Sequence, residues 1–214
     1  MKIGIGLPAY RSILDVGHAY QWLTLGIELA QQTAFELLYC QHADLCGIEH
    51  ARNRLTLSAL EDGLDWLVMC DADSYVPARP DDPSPGKAIL RMIAAGQEAG
   101  AAMIGAPMVG RNEARPRMNA RRFIANDWRH LSPADVLGRV VEVDRMGTGL
   151  VAVNIAWLKE HWPEPPWFQS VCLPGRELKH IGEDDFFCDE AKKRGGAILC
   201  DGRCIPAHSD KRTA

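Results

Sequence analysis

The sequence predicts an α/β protein in which a mostly parallel sheet is flanked by helices, and three observations lead there. Short apolar runs alternate with helix-length amphipathic stretches from Lys2 to Pro107, the order expected of parallel strands joined by crossover helices. The run Trp66-Leu67-Val68-Met69-Cys70 is apolar throughout, as a strand covered on both faces must be. That run ends abruptly in Asp71-Ala72-Asp73, two carboxylates at the strand end where open α/β sheets gather their ligands.

Taken in order, residues 2–7 read as a first strand stopped by Pro8. Over 18–32, Trp22, Leu25, Ile27 and Leu29 recur at helical spacing. Residues 35–40 form a second strand, and 48–61 a helix whose apolar positions are Leu55, Leu57, Ala59 and Leu60. The strand ending at Asp71 follows. Residues 77–86 are dense in Pro and Asp and form a loop. Ser84-Pro85 opens a helix over 87–100 that Gly100 stops, and 101–107 is a short strand. Beyond Gly110 the regularity fades, and 111–130 is expected to be irregular. Val140–Val143 and 150–153 read as later strands, 156–161 as a short helix ended by Pro163, Pro165 and Pro166, and 183–194 as a last helix closed by Gly195-Gly196.

The 214 residues suffice for one large domain with a sizeable core. With 47% hydrophobic and 24% charged residues, the composition is that of an ordinary globular protein and excludes a disordered or fibrous one. A net charge of −4 supplies no general attraction to nucleic acid or anionic membranes. No apolar run approaches the roughly 18 residues needed to cross a bilayer, and the first residues lack the pattern of a signal peptide. The seven cysteines are odd in number, which favours free thiols in a reducing, cytoplasmic setting. Cys40, His42, Cys46 and His50 are spaced unlike a zinc site.

Side chains at i and i+2 of a strand share a face, so Asp71 and Asp73 can converge on one point. Paired hard oxygens suit Mg²⁺ or Mn²⁺, ions that commonly complete their shell with phosphate oxygens. The alternative is a solvated strand-to-loop turn. Glu183, Asp184 and Asp185 lie at a helix start, where acids complement the helix dipole or one of them serves as a general base.

Four islands, in order, carry a resemblance: Gly6-Leu7-Pro8-Ala9-Tyr10-Arg11, Ala51-Arg52-Asn53, Asp71-Ala72-Asp73, and Gly182-Glu183-Asp184-Asp185-Phe186-Phe187 followed by His208. With Gly147-Thr148-Gly149 ahead of the last, the chain resembles GT-A fold glycosyltransferases of the family 2 type over most of its length. The resemblance implies one GT-A-like domain, residues 1–110 forming a nucleotide-sugar-binding half and 111–214 an acceptor-binding and catalytic half. It implies a donor site built from Pro8, Ala9, Tyr10, Arg11, Arg52 and Asp71, and an acceptor side that includes Gly149. Asp71, Asp73 and His208 would hold Mn²⁺ or Mg²⁺. Asp184 would be the base that deprotonates an acceptor hydroxyl, with Asp185 and Glu183 as fallbacks in an ambiguous register, and the transfer would invert the anomeric centre.

Three further features keep alternatives open. Arg52 could bond a phosphate or brace Asp71 with its planar fork. Trp167 could face a sugar or nucleobase, or anchor its loop together with Trp162 and Phe168. Arg111, Arg115, Arg117, Arg121 and Arg122 face the single acid Glu113 across residues 111–122. They could form a lid over a diphosphate, a nucleic-acid contact, or a solvated loop. A nucleotidyltransferase is the alternative enzyme, although Gly6 to Tyr10 supply no glycine-rich, lysine-bearing phosphate loop. The two ideas combine in a glycosyltransferase whose acceptor is a modified base in DNA.

Overall fold

A computed structural model describes residues 1–8, 16–31, 34–37, 47–72, 74–75, 84–108, 118–173 and 179–208. Its centre is a seven-stranded sheet. The first half contributes β1 (Lys2–Gly6), β2 (Ala34–Leu37), β3 (Trp66–Cys70) and, beyond the two-residue β4 (Ser74–Tyr75), β5 (Met103–Gly105). The helices between them are α1 (Val16–Ala30), α2 (Ile48–Glu61) and α3 (Pro85–Glu98). The second half begins with a hairpin, β6 (Ala120–Ile124) and β7 (Asp127–His130), then the short α4 (Pro133–Val136) and the strands β8 (Val140–Val143), β9 (Arg145–Met146) and β10 (Leu150–Asn154). There follow α5 (Ile155–His161), the paired β11 (Val171–Leu173) and β12 (Lys179–Ile181), α6 (Glu183–Lys193), β13 (Ile198–Asp201) and β14 (Ala207–His208).

The sheet order is β2-β1-β3-β10-β5-β13-β8. β1 is parallel to β2 and β3, and β13 to β5. β10 runs antiparallel between β3 and β5, and β8 antiparallel beside β13. The mostly parallel α/β sheet expected from the sequence is therefore present, with two reversed strands in it.

Period-two burial explains the layers. Leu67 and Met69 of β3 join a core with Leu55 and Ala59 of α2 and Phe187 and Cys188 of α6. Trp66, Val68 and Cys70 pack on the other face with Leu25 and Leu29 of α1 and Ile89 and Ile93 of α3. All five β3 residues are buried, as their unbroken hydrophobicity requires. Continuing the same alternation, Asp71 leaves the sheet on the α2–α6 side.

The end signals of α3 act as read. The Ser84 side chain accepts from the Lys87 amide at 3.2 Å and Pro85 opens the first turn, while Gly100 adopts φ +61° just past the end. One expectation fails. Within the stretch read as irregular, residues 120–130 form the β6–β7 hairpin. Its turn places Ala125 and Asn126 at φ 51° and 65°, a two-residue loop made without glycine; residues 111–117 lie outside the described part.

Candidate active site

The antiparallel course of β10 determines where the site forms. Leu150 pairs with Cys70, so the segment entering β10 arrives at the carboxyl end of β3. There the Asp71 amide donates to the Gly149 carbonyl at 2.9 Å. A Cβ at Gly149 would sit 1.9 Å from the Met108 sulfur, so any other residue there would have to displace that thioether. Asn119 secures the neighbouring strands. Its Oδ1 accepts from the Met108 amide at 2.9 Å, and its Nδ2 donates to the Gly147 carbonyl at 3.3 Å.

On the other side of Asp71 stands α2. Arg52 is 2% exposed; one terminal nitrogen donates to Asp71 Oδ1 at 2.8 Å and the other to Glu183 Oε1. Its Nε has no hydrogen-bond partner among the described residues. Of the two roles open to Arg52 from the sequence, the described contacts are those of the brace. Asn53, next in the chain, uses Oδ1 to accept from the Trp167 and Phe168 amides at 2.9 and 3.1 Å, and Nδ2 to donate to the Phe168 carbonyl at 2.7 Å. Replacing Asn53 with alanine is expected to lower stability by about 1–3 kcal/mol, because it removes the acceptor of the Trp167 and Phe168 amides, and urea denaturation would measure the loss.

That clamp also explains Trp167. It is fully buried and its indole N–H donates to the Trp162 carbonyl at 2.8 Å. The ring is therefore the loop anchor of the two sequence readings and presents no face to a sugar. Phe168, equally buried, stacks on Phe187 of α6 at 4.9 Å.

The three acids of α6 have three different environments. Gly182 caps the helix, and a Cβ there would meet Asp184 Oδ1 at 2.9 Å, so glycine leaves room for that carboxylate. Glu183 turns to Arg52. Asp185 is 7% exposed and held from both sides, Oδ1 by Arg121 of β6 and Oδ2 by Arg145 of β9 at 3.2 Å. Arg145 also grips Asp189 at 2.8 and 2.5 Å and lies over the Trp128 ring at 4.0 Å. Burial raises the Asp185 carboxyl, against the opposing pull of Arg121 and Arg145.

Asp184 is left without a cation in contact among the described residues; its Oδ1 accepts from the Asp185 amide at 2.8 Å. Burial, and then the charge of Asp185, push its carboxyl above the usual range. A partly desolvated carboxylate with a raised pKa is what a general base requires. The sequence singled out Asp184 only through the resemblance, with Asp185 and Glu183 as fallbacks. Arg121 and Arg145, which separate them, lie 64 and 40 residues from Asp185, beyond any local motif.

The cation ligands are less fully described. Asp73, Ala9, Tyr10 and Arg11 lie outside the described residues, as does the His208 side chain; Pro8 is buried at the end of β1. The backbone of β14 pairs with β4 in a register that places His208 opposite Ser74, the residue that follows Asp73 in the chain. Among the described residues no three His, Cys, Asp or Glu side chains converge on a point.

Of the arginine-rich segment, Arg121 is spent on Asp185, and Arg122 donates to the Glu142 carbonyl at 2.9 and 2.7 Å; the other three arginines lie outside the described residues. Cys70, Cys188, Cys200 and Cys204 are buried, and Cys172 is exposed. Among the described residues no helix is long and apolar enough to cross a membrane.

No protein-family model and no curated protein matches the chain. Among solved structures it superposes on A197 from STIV with a TM-score of 0.61, at 13% identity, over 97% of this chain and 85% of that one. It is also similar to a Drosophila β-1,4-galactosyltransferase 7 mutant solved with manganese, UDP-Gal and xylobiose, with a TM-score of 0.47 at 13% identity over 99% of this chain and 71% of that one. A third similarity is to a glycosyltransferase involved in glycosylation of the major capsid of PBCV-1, with a TM-score of 0.39 at 14% identity, covering 78% and 70% of the two chains. The likeness to A197 shows a fold shared over nearly the whole of this chain.

Proposed function

We propose that this protein transfers a sugar from a nucleotide-sugar donor to an acceptor hydroxyl, with a divalent cation and with inversion at the anomeric carbon. The observation that carries the reading is the meeting, at one sheet edge, of Asp71, Arg52 and the first turn of α6, with Asp184 the acid there that no arginine contacts among the described residues. In this reading the acceptor hydroxyl donates its hydrogen bond to Asp184, which takes the proton as the acceptor oxygen attacks the anomeric carbon. The bond from that carbon to the diphosphate oxygen breaks, and the nucleoside diphosphate leaves with the electron pair. Asp185, committed to Arg121 and Arg145, fixes the helix that carries the base. Asp71, Asp73 and His208 would hold the cation, which when bound would stabilise charge on the departing diphosphate. Residues 1–110 would bind the donor and residues 111–214 the acceptor.

Thermal-shift screening with UDP-, GDP-, CDP- and ADP-sugars, each with and without Mn²⁺, tests this. A donor at a hundred times its Kd should stabilise the protein by about 2.7 kcal/mol. Asp73→Asn should remove the metal-dependent part of that shift. If no nucleotide sugar moves the melting temperature even with Mn²⁺, the proposal fails.

A further inference from the structure

The Arg52 side chain bonds both to the carboxylate at the end of β3 and to the first turn of α6. It reaches Asp71, 19 residues away, with one arm, and Glu183, 131 residues away, with the other. Its burial restricts what it can do. A guanidinium shut off from water cannot drop one carboxylate and remain solvated, so the strength of one bond conditions the other. The neighbours stiffen this link. The guanidinium carbon lies 6.0 Å from the centre of the Phe168 ring, Phe168 stacks on Phe187 of α6, and Asn53 pins the Phe168 backbone. Glu183 immediately precedes Asp184, so a change in its hold on Arg52 is a change in the placement of the next carboxylate.

We propose that Arg52 is a positioning residue that couples Asp71 to the base-bearing turn of α6, so that a ligand drawing on the Asp71 carboxylate resets the position of Asp184. The coupling deepens the transfer reading given above and rests on it for its biological use, but its physics concerns this chain alone. Neutralising Asp71, by a cation or by substitution, weakens its bond to Arg52 and leaves more of the guanidinium to Glu183. The linkage is reciprocal, so fixing Glu183 also alters what Asp71 can bind.

Asp71→Asn mimics neutralisation without any ligand, and hydrogen exchange of the amides at 183–187 reads the response. The expected result is a change of about fivefold or more in their protection, the lower end of ordinary site-to-site coupling, which disappears when the same substitution is made in Arg52→Gln. A second readout is the titration of the Asp184 carboxyl carbon by NMR. The charged groups facing it are Asp185 on its own helix, Arg52 of α2 and Arg121 of β6. With Asp71 neutral, the Arg52 charge is less compensated and the Asp184 midpoint should fall; in Arg52→Gln it should not respond.

If Asp71→Asn alters exchange only near β3 and leaves α6 and Asp184 unchanged, the coupling is overturned. Should Arg52→Gln fail to fold, the Asp71→Asn and Glu183→Gln pair gives the same decision in the presence of Arg52. Changes at α6 that do not add support the coupling, and additive ones sink it. Adding Mn²⁺ and UDP to the wild-type protein separates the two ideas, because failure to bind them counts against sugar transfer while the substitution results still decide the coupling.

Discussion

Asp184→Asn is expected to lose about 10²–10⁴-fold in transfer rate, the contribution of a positioned general base, while donor binding survives and stability does not fall. The second half of that expectation follows from the environment of the residue. Burial and the Asp185 charge raise the Asp184 carboxyl, so the folded chain holds that proton more tightly than the unfolded chain. The favourable term is therefore complete below the unfolded value and is lost as pH rises through the raised native one. Asparagine has no proton to lose. The variant should melt at or above the wild-type temperature at pH 7, and the difference should close as the solution is acidified. Melting curves from pH 3 to 8, together with turnover of the donor found by screening, would check both halves.

Burial raises the Asp185 carboxyl as well, but its two arginine contacts decide the outcome here, and Asp185→Asn is expected to lose about 3 kcal/mol of stability in urea denaturation. Breaking a largely buried ion pair leaves the remaining charge uncompensated. Arg121 would keep no carboxylate partner on α6, and Arg145 would retain only Asp189. Since the pair ties the β6–β9 sheet to the helix carrying Asp184, any fall in activity should track the unfolded fraction and recover at lower temperature. If Asp185→Asn instead leaves stability intact and removes turnover while Asp184→Asn unfolds the protein, the two roles are reversed.

These two adjacent aspartates show where sequence reading stops. The strand ending at Asp71 was legible because an apolar run of full burial has a composition of its own, and α3 because Ser84, Pro85 and Gly100 each satisfy a local backbone requirement. The gathering of acids at 183–185 was legible as chemistry. Their different partners were not, because those are Arg52 for Glu183 and Arg121 and Arg145 for Asp185, which reach the helix only through tertiary folding. The β6–β7 hairpin escaped for a different reason. Its turn uses Ala125 and Asn126 where a glycine would have marked the bend, and its strand positions carry Arg121 and Arg122, which read as a solvated loop. Trp167 was placed among prolines correctly, yet only the Asn53 clamp decides that its ring points inward.

The reversed strand β10 also has a consequence for how the chain is made. β3 has β1 on one side, but its other edge stays bare until β10 exists, and β5 waits for both β10 and β13. Bare strand edges recruit other chains, and pairings distant in sequence form slowly. During synthesis the emerging polypeptide therefore carries open edges until Asn154 has left the ribosome and β13 has followed. The segment whose backbone meets Asp71 is thus the same segment that covers the free edge of β3, while the α6 turn and β13 follow only later in the chain.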